Sequence, residues 1–170
     1  MDFAITYKKG GFKLTAFSDA NWGNNPDNAK SMFSYIVFLS NAPVSFKMGP
    51  QGLTAQSTME AELVAAALAM KEAVFCSNMM KELGFGRRFD SVPLLYIDIT
   101  PARHVAENRI YSSRVKHVAL RHFFIQEQVK VGRIIIHYVK TEDQFADLST
   151  KHVSKQRQHY LLKLLSELRA

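Results

Sequence analysis

The sequence predicts an α/β domain built on one five-stranded mixed sheet, three antiparallel strands followed by two parallel ones, with helices packed against it. Three observations carry that expectation. Segments of β-forming residues punctuated by turn residues fill the first fifty positions, as in an antiparallel meander. Two short apolar strands come later, each separated from the preceding strand by residues of helical periodicity, which favours parallel neighbours. The chain has 170 residues, 47% apolar and 22% charged, the size and composition of one globular domain, here residues 1–170.

"FAITYK" (3–8) alternates like a strand and meets Gly10-Gly11, a turn. "FKLTAFSD" (12–19) alternates again and ends at Asp19; "WGNNPDNAK" (22–30) is loop chemistry. "MFSYIVFLS" (32–40) is strongly β-forming, and "NAP" (41–43) turns the chain into "VSFKM" (44–48). The pattern changes at "QSTMEAELVAAALAMKEAVFCSNMMKELGFG" (56–86). There Ser57 followed three residues later by Glu60 predicts a capping box, Leu63, Ala67, Met70 and Val74 recur at helical spacing, and Gly84 and Gly86 stop the helix. "VPLLYID" (92–98) is a short strand of the kind buried on both faces. Thr100 and Pro101 open a helix in "TPARHVAEN" (100–108), and "KHVALRHFFIQEQVKVG" (116–132) is an amphipathic helix stopped by Gly132. "RIIIHYVK" (133–140) is the last strand, "TEDQFADLSTK" (141–151) a turn or short helix, and "SKQRQHYLLKLLSELRA" (154–170) an amphipathic helix that docks on the sheet. The order is β-β-β-α-β-α-α-β-α.

No apolar run approaches the about 18 residues of a membrane span, and the start lacks the basic-then-apolar order of a secretory signal, so an intracellular protein with no membrane partner is expected. Cys76 stands alone, which excludes an internal disulfide and a cysteine-based zinc site, and its helical context predicts a buried small hydrophobe. Residues 1–100 carry 9 Lys/Arg and 9 Asp/Glu, whereas residues 101–170 carry 13 and 6, together with all six histidines. The whole +7 charge therefore sits in the second part, a distribution that suits a polyanion such as nucleic acid or, more plainly, a solvated basic surface.

Four acids stand at positions that could converge. Asp19 and Asp98 end strands, Glu62 lies in the first turns of the long helix, and Asp147 follows the last strand. Singly, each has an ordinary structural use, as turn former or as partner of a helix dipole. If the first and fourth strands are neighbours, all four reach one edge of the sheet. Clustered carboxylates repel one another, and hard divalent cations relieve that repulsion with oxygen coordination.

"SDANWG", "KSMFSY", "QSTMEAELVAA", "YID", "SSRVKHVALRHFFIQEQV" and "YVKTEDQFADLSTK", in that order, resemble the ribonuclease H domain of copia-type retrotransposon polyproteins. The resemblance is strongest over residues 14–165; "SRVKHVALRHFFI" and "KTEDQFADLSTK" are its most specific blocks. It implies a ribonuclease H-like fold and a parent polyprotein that also carries a reverse transcriptase. It further implies a metal-dependent cut in the RNA strand of an RNA–DNA hybrid, with two Mg²⁺ ions, replaceable by Mn²⁺, on Asp19, Glu62, Asp98 and Asp147. Glu60, close to Glu62, fits the capping box instead.

Three positions depart from the family's usual residues: Ile99 in place of Asn after the third acid, Ser34 in place of Gly, and Ser112 in place of His. Ile99 bears on catalytic strength more than on fold, because a polar partner that helps orient Asp98 is absent there. The alternative to a working nuclease is therefore a weakened or inactive module that binds nucleic acid or a recruited protein. Substrate-contact candidates are Arg114, Lys116 and Arg121 for phosphates, His117 near the scissile phosphate or in the core, and Ser57 and Thr58, whose hydroxyls cap the helix and by resemblance lie near the RNA 2′-OH. Trp22 reads as a packed ring, with substrate-edge contact as the alternative. His117 and His122, five apart, lack zinc spacing. No Gly-rich phosphate loop or Ser-His-Asp order with a nucleophile elbow is present, and no glutamate after Asp98 has the context of an integrase-type site.

Overall fold

The strand β1 (Leu14–Asn21) is the middle of the sheet, antiparallel to β2 (Met32–Leu39) and parallel to β4 (Leu94–Ile97). A computed structural model describes residue 7 and residues 11–25, 27–40, 42–86, 92–97 and 116–167. The strand expected at 3–8, apart from Tyr7, and the helix expected at 100–108 lie outside them. The sheet order is β3-β2-β1-β4-β5, with β3 spanning Ala42–Pro50 and β5 Ile135–Tyr138. β2 and β3 pair antiparallel, β4 and β5 parallel, as the sequence led one to expect.

Alternation along β1 sends its residues to two different cores. Leu14, Ala16 and Ala20 join Phe33, Tyr35, Val37, Leu95 and Ile97 under the long helix α1 (Thr58–Met80). Phe17 faces the other way, into a smaller cluster with Phe38, Phe145, Ala146 and Leu161. Asp19 follows Phe17 by two residues and shares its face.

Helix α1 starts where the sequence places it. Ser57 is the N-cap and its Oγ accepts the Glu60 N–H at 3.2 Å. The Glu60 carboxylate reaches back one residue further than a capping box requires and accepts the Gln56 N–H at 2.7 Å. From Ala61 to Ala73 the helix is apolar on most sides and largely buried. Residues Thr58–Phe85 are long and apolar enough to cross a membrane by composition alone, yet 61% of the relevant stretch is buried in the protein, the mark of a core helix here. The helix ends in a widened turn, Lys81–Phe85, where Gly84 takes φ 86°, a left-handed conformation that glycine adopts without a Cβ penalty.

Helix α2 (Lys116–Lys130) packs on α1, sending Ile125 into the main core and setting the Phe124 ring 5.5 Å from the Lys71 ammonium. Gly132 ends it with φ 69°. After β5 come the single turn Thr141–Asp143, the short helix α3 (Asp147–Thr150) and the last helix α4 (Lys155–Glu167). Two details differ from the sequence reading. Ala42 and Pro43 belong to β3 rather than to the turn, and a register shift between Val37 and Phe38 absorbs the difference. β4 is fully buried on one side only, through Leu95 and Ile97; Leu94 and Tyr96 are half-buried because the second cluster is smaller. Cys76 is buried, as expected.

Leu161, fully buried, fastens α4 to the second face of the sheet. Leu161→Ala is expected to lower the unfolding free energy by about 3 kcal/mol, the usual cost of a cavity at a packed leucine. Urea titration followed by circular dichroism measures it.

Candidate active site

Asp19 and Asp147 meet on the second face of the sheet, and the residues around them explain how. Gln144 Nε2 donates to the Ser18 carbonyl at 3.0 Å while its Oε1 accepts the Ala146 N–H at 3.4 Å. Phe145 inserts edge-on against Phe17 (4.9 Å between centroids) and lies 5.4 Å from Phe38. These neighbouring side chains clip the chain to β1 and β2 just before α3, so that the first residue of α3, Asp147, arrives beside Asp19. Asn21 Nδ2 donates to the Thr150 carbonyl at 2.9 Å, and the Ser34 and Ser149 hydroxyls lie 2.6 Å apart. Ser34 pairs with Asp19 across β1 and β2. The serine that departs from the resembled family's glycine therefore has a use here: it bonds α3 to the sheet.

Both aspartates are almost wholly enclosed, Asp19 at 2% and Asp147 at 0% exposure. Lys151 Nζ bridges them, 2.9 Å from Asp19 Oδ1 and 3.1 Å from Asp147 Oδ1. Thr150 Oγ1 donates to Asp19 Oδ2. Arg157, from α4, donates through Nη2 to Asp147 Oδ2 and to the Thr141 carbonyl. Burial first, and the negative charge of Asp147 second, push the Asp19 carboxyl up to about 6 from 3.8, against the hydrogen bonds from Lys151 and Thr150, which pull it down. Burial lowers the Lys151 ammonium, but its bonds and charge interactions with Asp19 and Asp147 leave it above its ordinary value.

Glu62 lies buried two residues beyond Glu60 in the first turns of α1. Asp98 and Arg114 lie outside the described residues, as do the side chains of Lys116 and His117. β4 is described up to Ile97 and runs beside β1, with Phe17 opposite Tyr96. Among the described residues no three His, Cys, Asp or Glu side chains gather closely enough to hold a metal ion; the two that come together are Asp19 and Asp147. Their donor chemistry fits a hard divalent cation nonetheless. It is all oxygen, buried and mutually repulsive, and a monovalent cation already stands between the two groups.

Ser57 is half-buried and Thr58 exposed at the start of α1; Arg121 is half-buried on α2. Trp22 is not a packed ring: it is 50% exposed, and its indole N–H donates to the Ala55 carbonyl at 2.9 Å. That bond holds the indole near the start of α1 while half of the residue stays open to solvent. Thr150, Lys151, Gln144, Ser149 and Arg157 were not singled out from the sequence. The "STK" of "ADLSTK" lay within a quoted motif, but only the meeting of α3 with β1 shows what its hydroxyls and ammonium touch.

No protein-family model matches the chain. The chain is 35% identical over 155 residues to the retrovirus-related Pol polyprotein from transposon RE2 of Arabidopsis thaliana, an alignment covering 91% of the chain and 10% of that polyprotein. It thus spans about a tenth of the length of the curated relatives it matches. Among solved structures it resembles the N-terminal RNase H domain of Rv2228c from Mycobacterium tuberculosis (TM-score 0.56, 11% identity, 94% of this chain and 100% of that one). It also resembles LC11-RNase H1, isolated from compost (TM-score 0.58, 13% identity, 81% and 91%). The same protein in complex with an RNA/DNA hybrid gives a TM-score of 0.54 at 11% identity, with 81% and 93% covered. At such identities the likeness to solved structures is one of fold. The homologues of this chain are thus retrovirus-related Pol polyproteins of transposons, and its fold is that of ribonuclease H domains, as the ordered sequence blocks implied.

Asp19 is expected to titrate near 6 in the metal-free chain, followed through its carboxyl carbon by NMR against pH. A carboxyl raised in the folded state binds its proton more tightly there than in the unfolded chain. Its stabilising contribution is present below pH 3.8 and is lost as pH rises through about 6. The loss amounts to about 3 kcal/mol at 1.36 kcal/mol per pH unit, measurable as a fall in unfolding free energy of metal-free protein across that window.

Proposed function

We propose that this chain is a nuclease of the ribonuclease H type that hydrolyses the RNA strand of RNA–DNA hybrids, within a retrotransposon polyprotein of the copia type that also carries a reverse transcriptase. The observation that carries the reading is the enclosed Asp19–Asp147 pair with a cation between its carboxylates, on a ribonuclease H fold. A relative in fold, LC11-RNase H1, is known in complex with an RNA/DNA hybrid, which supports the substrate class.

Asp19, Glu62, Asp98 and Asp147 are the proposed ligands of two Mg²⁺ ions, with Mn²⁺ able to substitute. Bound there, the ions supply activation of the attacking water and stabilisation of the leaving 3′-oxygen. The protein's own contribution is positioning. Thr150 orients Asp19 through Oδ2, and Arg157 orients Asp147 through Oδ2. The Ser34–Ser149 and Asn21–Thr150 bonds hold α3 against the sheet, so the two carboxylates keep one separation. Enclosure of both groups excludes water and strengthens their interaction with any cation. Ser57 and Thr58 present hydroxyls for the RNA 2′-OH, and Arg114, Lys116 and Arg121, with His117, are proposed to meet the phosphates.

A second reading is favoured by one feature, Ile99, which removes a polar neighbour from beside Asp98. In that reading the fold binds hybrid and cleaves it weakly or not at all.

One assay separates the two. Hybrid cleavage is measured with Mg²⁺ and with Mn²⁺ for the unaltered chain, Asp98→Asn and Ile99→Asn. The nuclease reading expects cleavage by the unaltered chain and a loss of more than about 100-fold in Asp98→Asn, with hybrid binding retained. Cleavage seen only after Ile99→Asn supports the weakened module, and equal cleavage by Asp98→Asn ends the metal assignment. Hybrid affinity is expected to fall steeply with salt, with a log–log slope of about −0.9 per neutralised phosphate.

A further inference from the structure

We propose that Lys151 is an internal counter-ion of the metal site: its ammonium holds the place between Asp19 and Asp147 that a divalent cation takes, so that loading requires Lys151 to withdraw. The inference rests on the metal-ligand role proposed above for the two aspartates.

Space and charge both point to displacement. Lys151 Nζ lies 2.9 and 3.1 Å from one oxygen of each carboxylate. A magnesium ion bonds carboxylate oxygens at about 2.0–2.1 Å, so an ion sharing those oxygens would sit against the ammonium, and two cations in an enclosed site repel strongly. The carboxylates have nowhere to go, since Asp19 and Asp147 are held from β1 and α3 with side chains 4% and 1% exposed. Lys151 does: its side chain is 37% exposed, at the end of a flexible four-carbon stem. Its backbone can stay fixed meanwhile, for the Lys151 N–H is tied to the Asp147 carbonyl at 3.2 Å as the C-cap of α3. Arg157 stands differently. It bonds the other oxygen of Asp147 and the Thr141 carbonyl, and does not touch Asp19 in the bridging position, so it can remain as an orienting partner.

The consequence is an exchange of cations. Without metal, Lys151 keeps two enclosed anions tolerable and the chain folded; with metal, both ion pairs must break, which weakens binding of the metal. The test uses the 170-residue chain, Lys151→Gln and Lys151→Arg, with Mn²⁺ binding by calorimetry and melting temperature with and without saturating Mn²⁺. Lys151→Gln is expected to melt lower than the parent without metal, to bind Mn²⁺ about tenfold more tightly, and to recover most of the lost melting temperature at saturation. Lys151→Arg, which keeps the charge, is expected to bind Mn²⁺ as the parent does. On the unaltered chain, the NMR signal of the Lys151 ammonium protons, protected without metal, is expected to vanish on saturation with diamagnetic Mg²⁺. Unchanged Mn²⁺ affinity in Lys151→Gln, or a protected ammonium that survives Mg²⁺, overturns the inference and leaves the metal site standing. Absence of Mn²⁺ binding by the parent and by Lys151→Gln overturns the metal site itself and the inference with it.

Discussion

Two carboxylates buried against each other set the terms for the rest of this structure. Asp19 and Asp147 have almost no contact with solvent, and burial, together with the charge of Asp147, pushes the Asp19 carboxyl up to about 6. Removing such charges from water costs several kcal/mol each unless nearby groups compensate. Compensation comes from three side chains, Lys151, Thr150 and Arg157, all contributed by the C-terminal segment. The segment that brings Asp147 to the site therefore also brings the groups that make its arrival tolerable.

That arrangement depends on a small apolar cluster. Phe17, Phe38, Phe145 and Leu161 pack on the face of the sheet opposite α1, and Phe17 and Phe145 flank the two acids in sequence by two residues each. A strand alternates its faces, so Phe17 in this cluster commits Asp19 to the same side. Phe145, locked between Phe17 and Phe38, commits Asp147 to within reach of it. Hydrophobic packing thus does the positioning, and hydrogen bonds from Gln144, Asn21 and Ser34 remove the residual freedom.

Much of the architecture was legible in the residues. Alternation and turn residues placed β1 to β3 within two or three positions, because a slip of one residue would send every side chain to the opposite face. Ser57 and Glu60 announced the start of α1, and Gly84 and Gly132 marked helix ends through the left-handed conformations they take up. Proximity was not legible. Asp19 and Asp147 could be marked as acids at element ends, but Lys151 looked like any surface lysine, because one of the two partners it bridges, Asp19, is far away in sequence. Trp22 misled for the opposite reason: a tryptophan is usually packed, and here a single bond from its N–H to Ala55 holds it half in solvent. Asp98, which ends the sequence-predicted strand 92–98, lies outside the described residues, so the meeting of all four acids stands on the resemblance and on the placement of β4 beside β1.

The cost of the carboxylate pair is itself an argument about function. A module that merely bound nucleic acid would gain nothing from two enclosed anions, which repel phosphates and destabilise the metal-free fold above the Asp19 titration. A module that recruited a protein partner would gain nothing either, since neither carboxylate reaches the surface. The basic charge of the second part of the chain serves either use, and so cannot discriminate between them. What both alternatives leave unexplained is a stability penalty maintained by Phe17, Phe145 and Gln144 and offset by Lys151 and Thr150. The proposed role of holding divalent cations gives that penalty a use, because negative charge in low dielectric is what gives such ions their affinity.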